Sequence, residues 1–247
     1  MTVTVGRLCG IRIDVHVSWL VVFALLTAVL ARNIDATGVA AVVLGATCAL
    51  ALFAGVVGHE LAHALAARRF GVQTDAITLF LLGGVASLSE EPPTARADVA
   101  IALAGPAASA VAAIAAFGLL LAAEHWLAPL PRATVSRLLA YVALVNGFLA
   151  AFNLLPAYPM DGGRVLRALL WRRGCAWARA TAIASRVGMA FAVAFVAGAV
   201  LVVAATRNPA FAWYAVLGAY LLREARSKPL ASPVSLGLSN EAQPALP

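Results

Sequence analysis

The sequence predicts an all-α polytopic membrane protein with about six transmembrane helices and a short membrane-dipping β-hairpin after the second helix. Three observations carry that class. Of the 247 residues, 63% are hydrophobic and 12% charged, more apolar surface than a soluble core of this size needs. Apolar runs of membrane length recur, separated by short polar stretches. Between Ala76 and Ser89 the pattern changes to β-forming residues around Gly83-Gly84.

Residues 3–16 alternate, with Ile11, Ile13 and Val15 on one side and Arg12, Asp14 and His16 on the other, which predicts a short strand or interfacial segment. Trp19 follows as an interfacial aromatic, and His16 is read as a polar contact at that interface. The first helix is expected at about Val17–Ala31. It is read as retained rather than cleaved, because Asp14 and His16 precede it and the flank is weakly basic. The second runs from Gly38 to Arg69. Ala76–Leu82 and Val85–Ser89 form the hairpin, placed beside protein because lipid cannot satisfy an open strand edge. The third helix, about Ala97–Ala123, contains Gly105-Pro106, where proline frees a carbonyl and favours a kink. The fourth, about Thr134–Leu154, ends before Pro156. The fifth and sixth are expected at Ala182–Thr206 and Ala210–Leu222. Residues 1–227 are read as one membrane-embedded domain. Residues 228–247, with four prolines and no apolar period, are read as a disordered cytoplasmic tail.

Net charge is +7, but the basic residues are scattered between apolar runs, which argues against a nucleic-acid partner. Placing both termini in the cytoplasm puts fourteen Lys and Arg on that side and four (Arg32, Arg132, Arg137, Arg207) on the other. Cys9, Cys48 and Cys175 are too dispersed for a disulfide framework or a thiolate metal site, and Cys48 is read as a small core residue.

The chemistry lies in Gly58-His59-Glu60-Leu61-Ala62-His63. Histidines four apart on a helix project about 40° from one another, so both imidazoles can reach one metal ion. Glu60 lies beside them, placed to act as a general base. No charged residue occurs from Val39 to Val57, so the motif continues an apolar helix rather than a solvated face. A charge at the centre of such a helix costs about 2.5–3.5 kcal/mol on insertion scales. A bound zinc returns on the order of 10 kcal/mol or more. Arg69 lies ten residues after His59, which puts the motif about 15 Å deeper than that basic end and near the cytoplasmic face.

A catalytic zinc takes three protein ligands and keeps one position open. Asp161 is the only acidic residue between Glu124 and Glu224, and follows Asn153-Leu-Leu-Pro156-Ala-Tyr-Pro159-Met160. It is either the third ligand or the N-cap of the helix that follows. Asn146 and Asn153, seven apart on one helix face, are either interhelical hydrogen-bonders or functional groups.

These residues resemble the site-2 protease family, the zinc intramembrane metalloproteases of peptidase family M50. The matching signatures are His59-Glu60-Leu61-Ala62-His63, Gly83-Gly84, Leu103-Ala104-Gly105-Pro106, and Asn153-x-x-Pro156-x-x-x-x-Asp161-Gly162. The likeness covers about residues 7–225. It implies one zinc ion held by His59, His63 and Asp161, with Glu60 as the base and Asn153 assisting the substrate carbonyl. Asn146, Gly83 and Gly84 are the further substrate-binding candidates. Many members carry Asn where Ser109 stands, and no segment here is long enough for the PDZ or CBS modules that many also carry. The expected function is intramembrane endoproteolysis of single-pass membrane proteins in the bilayer. Its competitors are a membrane-anchored surface peptidase and a non-enzymatic membrane protein with a structural zinc.

Overall fold

The computed structural model describes residues 1–32, 37–81, 83–88, 90–208 and 211–226. The expected tail at 228–247, and Leu82 and Ser89 at the ends of the hairpin runs, lie outside the described residues. The chain forms two compact units: one of Met1–Leu65, Thr74–Ser87 and Ala104–Phe152, the other of Ala66–Gln73, Leu88–Leu103 and Asn153 onward.

The first unit holds β1 (Thr2–Leu8), β2 (Ile11–His16), α1 (Val17–Arg32), β3 (Thr74–Phe80) and most of α2 (Gly38–Arg69), β4 (Gly83–Leu88), α3 (Ala95–Trp126) and α4 (Pro129–Asn153). The strands make one sheet in the order β1-β2-β3-β4. β1 and β2 are antiparallel and meet at Cys9 and Gly10, whose φ of 51° and 81° give the twisted two-residue turn a hairpin favours. β2 and β3 are parallel, with Ile13 opposite Ile77. Ile11, Ile13 and Ile77 form a core with Ala64, and Val57 and Leu61 pack against it. Val57, Leu61 and Ala64 lie on one face of α2, which therefore lies on the sheet. At about 100° per residue, His59 and His63 stand roughly 200–240° round the helix from Val57, on the opposite face.

The expectation of an all-α chain with an isolated hairpin is corrected here. The hairpin run belongs to a four-stranded sheet, and residues 3–16 supply two strands rather than one. β1 is exposed along all seven residues, so its Thr-Val alternation marks no buried face and does not tell it from the strand that follows. β2 pairs with residues more than sixty positions away, which no local pattern records. Gly83 and Gly84 are not the turn either; they open β4. A Cβ on Gly84 would stand 2.9 Å from Val56 Cγ1 and 3.2 Å from Glu60 Cγ, so this strand lies against α2 because Gly84 has none.

The second unit contains α5 (Asp161–Arg172), α6 (Trp177–Thr206) and α7 (Ala212–Arg226). α6 packs on both α5 and α7. Ala67, Val72 and Ile101 make a small core in this unit, with Ala66 and Phe70 against it. The turn ahead of α5 is held by glycines. A Cβ on Gly162 would overlap the Leu154 and Leu155 carbonyl oxygens, and one on Gly188 of α6 would overlap the Tyr158 carbonyl.

Among the described residues, four helices are long and apolar enough to cross a membrane: Gly38–Arg69, Ala95–Trp126, Ala133–Asn153 and Trp177–Thr206. α1 and α7, expected as the first and sixth spans, have 16 and 15 residues. At 1.5 Å per residue they reach about 23–24 Å, short of a hydrocarbon core of about 30 Å.

Candidate metal centre

His59 and His63 are 4% and 5% exposed, on the face of α2 turned from the sheet. Their Nε2 atoms lie 3.1 Å apart, with the rings at 79° to one another. Two ligands at about 2.0–2.1 Å from one tetrahedral zinc stand roughly 3.4 Å apart, so the pair is spaced for a shared ion. Two further features fit. Ser109 Oγ lies 2.9 Å from His59 Nδ1. Metal binding at Nε2 requires the proton on Nδ1, and the serine oxygen is placed to accept it, fixing ring and tautomer. Gly105 lies one turn before Ser109 on α3; a Cβ there would overlap His63 Nε2 and stand 2.6 Å from His59 Nε2. The space in front of both nitrogens exists because residue 105 is glycine.

The expected significance of Gly105-Pro106 was a kink. α3 continues through Pro106, and the glycine matters for its missing side chain. Ser109 had no role from sequence; the available signal was its i, i+4 spacing from Gly105, which puts both on one face of α3.

Asn146 is 3% exposed and donates from Nδ2 to the Val142 carbonyl at 2.9 Å, within α4. Its amide sits on Gly55, where a Cβ would be 2.9 Å from Oδ1. α4 thus meets α2 one turn ahead of His59. A cavity of about 360 Å³ opens there, bordered by Ala54, Gly58, His59, Ser109, Ala112 and Asn146. The other two histidines are engaged elsewhere: His16 contacts the N-terminal amine and Ser18, and His125 packs on Trp126.

In the second unit, Asp161 is 8% exposed and is the first residue of α5. The N-cap position is Met160, so Asp161 lies one residue inside the place that the capping alternative gave it. A carboxylate in a first turn is favoured by the helix dipole. Asn153 closes α4, at the start of the proline-bearing turn.

Sequence reasoning missed an ion network in this unit. Arg167 is 2% exposed and donates to Asp98 Oδ2 from Nη2 at 2.7 Å and from Nε at 3.0 Å. Nη2 also donates to Glu91 at 3.1 Å, and Arg164 reaches Asp98 Oδ1 at 3.3 Å. Arg167 also lies over Trp177, 5.3 Å from the ring centroid. Burial works against the guanidinium charge, but Asp98 and Glu91 outweigh it and hold its pKa above the usual arginine value. The only sequence signal was a lone acid, Asp98, in the first turn of an apolar helix.

Comparison with known proteins agrees with this geometry. Peptidase family M50 matches residues 47–126 and 121–195. The chain is 40% identical over 231 residues to Rip3 of Mycobacterium tuberculosis and 37% identical over 230 residues to sll0528 of Synechocystis, and both carry zinc metalloprotease in their names. These alignments cover 92% and 91% of the chain but 58% and 59% of the relatives, so the chain spans little more than half their length. The solved site-2 protease of Methanocaldococcus jannaschii matches with a TM-score of 0.63 at 26% identity, over 94% of this chain and 99% of that one. On the family match and the site-2 protease fold together, the chain belongs to peptidase family M50.

Proposed function

We propose that this chain is an intramembrane zinc endopeptidase, cutting a peptide bond in or near the transmembrane segment of single-pass membrane proteins. The observation that carries the reading is the buried His59/His63 pair, with Nε2 atoms 3.1 Å apart on an apolar helix. One zinc per chain would be held by His59, His63 and Asp161, all three buried. When bound, zinc supplies a Lewis acid that acidifies water and polarises a carbonyl. Glu60 takes the proton of the attacking water and returns it to the leaving amine. Asn153 donates to the substrate carbonyl oxygen as negative charge develops on it. A substrate helix must open before its carbonyls are accessible, and its freed backbone groups then need partners. In this reading Gly83, Gly84 and β4, the last strand in the sheet order, receive such a segment by strand addition, with Asn146 as a further contact.

The reading takes residues 1–227 as the protease domain, crossing the membrane about six times, with both termini and the active site toward the cytoplasm. A structural zinc would need a fourth protein ligand, and the engagement of His16 and His125 speaks against it.

The test is Glu60→Gln. It should retain zinc in the purified protein and abolish cleavage of a single-spanning substrate, since the base is not a ligand. Loss of zinc together with activity would refute the role given to Glu60.

A further inference from the structure

We infer that the cavity beside His59 is a substrate subsite. It receives a large apolar side chain of the unwound substrate, two positions from the cut, while Asn146 Oδ1 accepts that residue's backbone N–H. The inference deepens the proteolytic reading above and rests on it.

Asn146 carries the argument. Its residue is 3% exposed, and Nδ2 is committed to the Val142 carbonyl. Among the described residues no donor reaches Oδ1, although the side chain lines the cavity. Oδ1 is not among the fully enclosed polar atoms that lack a partner, so it opens on the cavity. An opened substrate segment brings donors of the right kind for it: backbone N–H groups released from their own helix.

Position and size narrow the occupant. Oδ1 sits on Gly55, four residues before His59 and so about 6 Å along α2. Extended backbone advances about 3.4 Å per residue, so that displacement corresponds to two residues from the bond held at His59. The walls are the smallest available: Ala54, Gly58 and Ala112. At about 360 Å³ the cavity is at the low end for ligand pockets, too narrow for a helix about 10 Å across and suited to one large side chain. It borders His59, so a chain held there continues to the metal pair.

The experiment crosses enzyme variants with substrate variants in purified, zinc-loaded protein. Single-spanning substrates carry Ala or Phe two positions from the cut, and a third set replaces the amide there by an ester, which removes only the N–H. Wild type should favour Phe over Ala. Ala112→Leu, which fills the slot, should reverse that preference at unchanged zinc content. Asn146→Leu and the ester should each slow cleavage about fivefold to tenfold, the size of one hydrogen bond, and together no further. Losses that multiply, or an Ala112→Leu effect equal for Phe and Ala, would overturn the subsite. So would an Ala112→Leu effect that tracks only the acyl-chain length of the surrounding lipid, which would assign the cavity to a lipid tail. A wild type with full zinc that cleaves none of the substrates would bring down the proteolytic reading itself, whereas the other failures leave it standing.

Discussion

The two units hold their most deeply buried polar groups differently: in the first, Asn146 turns its amide to a cavity, and in the second Asp98 and Arg167 face one another. The Nε2 atoms of His59 and His63 converge where Gly105 has no side chain, and the Asn146 amide lines a cavity next to His59. Asp98 and Arg167 are as deeply buried, yet their hydrogen bonds close on each other, on Glu91 and on Arg164. In low dielectric both arrangements are costly unless completed. The ion network is completed by the chain. The histidine pair instead has the spacing of two ligands to one ion.

The largest expected effect breaks the first arrangement. Gly105→Ala puts a methyl group where the two Nε2 atoms converge and should abolish metal binding, read as zinc per chain. Gly118→Ala on the same helix, with nothing within 4 Å of its Cβ, should keep full zinc. Retention of zinc by Gly105→Ala would show that the ion does not sit in front of the pair.

Next comes the network. Asp98→Ala strands Arg167 without its main partner and should cost about 3–5 kcal/mol, read as a fall in unfolding temperature. Replacing both partners, Asp98→Leu with Arg167→Met, should recover most of it, since the penalty belongs to the lone charge. A single variant within about 1 kcal/mol of wild type would mean that water already reaches the pair.

Ser109→Ala is intermediate. It removes the oxygen at His59 Nδ1 and should weaken zinc affinity about 10–100-fold without changing the fold. Ser109→Asn, which retains an acceptor, should lose less; equal loss in the two would argue for packing rather than ring orientation.

The smallest effect sharpens the second arrangement. Arg164 is 17% exposed and reaches Asp98 at 3.3 Å, so Arg164→Ala should cost no more than about 1 kcal/mol. If it matched Arg167→Ala in a thermal melt, the network would not be centred on Arg167.

What was legible follows from range. His59, Glu60 and His63 could be read because a helix fixes their relation within one turn. The long helices were readable from uninterrupted apolar runs, with α2 placed at Gly38–Arg69 as expected. Asp161 stood out by elimination among acids, with the N-cap as its alternative; the N-cap position falls to Met160, a residue without a capping side chain. The sheet escaped because β1 has no buried face and β2 finds its partner in β3, past two helices. Gly105 escaped because a glycine in a helix announces a close approach without saying to what.

The parallel pairing of β2 with β3 also sets a clock on biosynthesis. Ile13 meets Ile77, a separation of 77 − 13 = 64 residues, so the sheet cannot close until that much more chain has been made. At about 5–20 residues per second the wait is roughly 3–13 s. For most of it, the first hairpin carries Ile11 and Ile13, later among the most enclosed side chains, before Val57, Leu61 and Ala64 of α2 are made to cover them. The nascent N-terminus therefore passes through a sticky interval before its own fold can shelter it, and mistakes in assembly should concentrate there rather than at the metal helix.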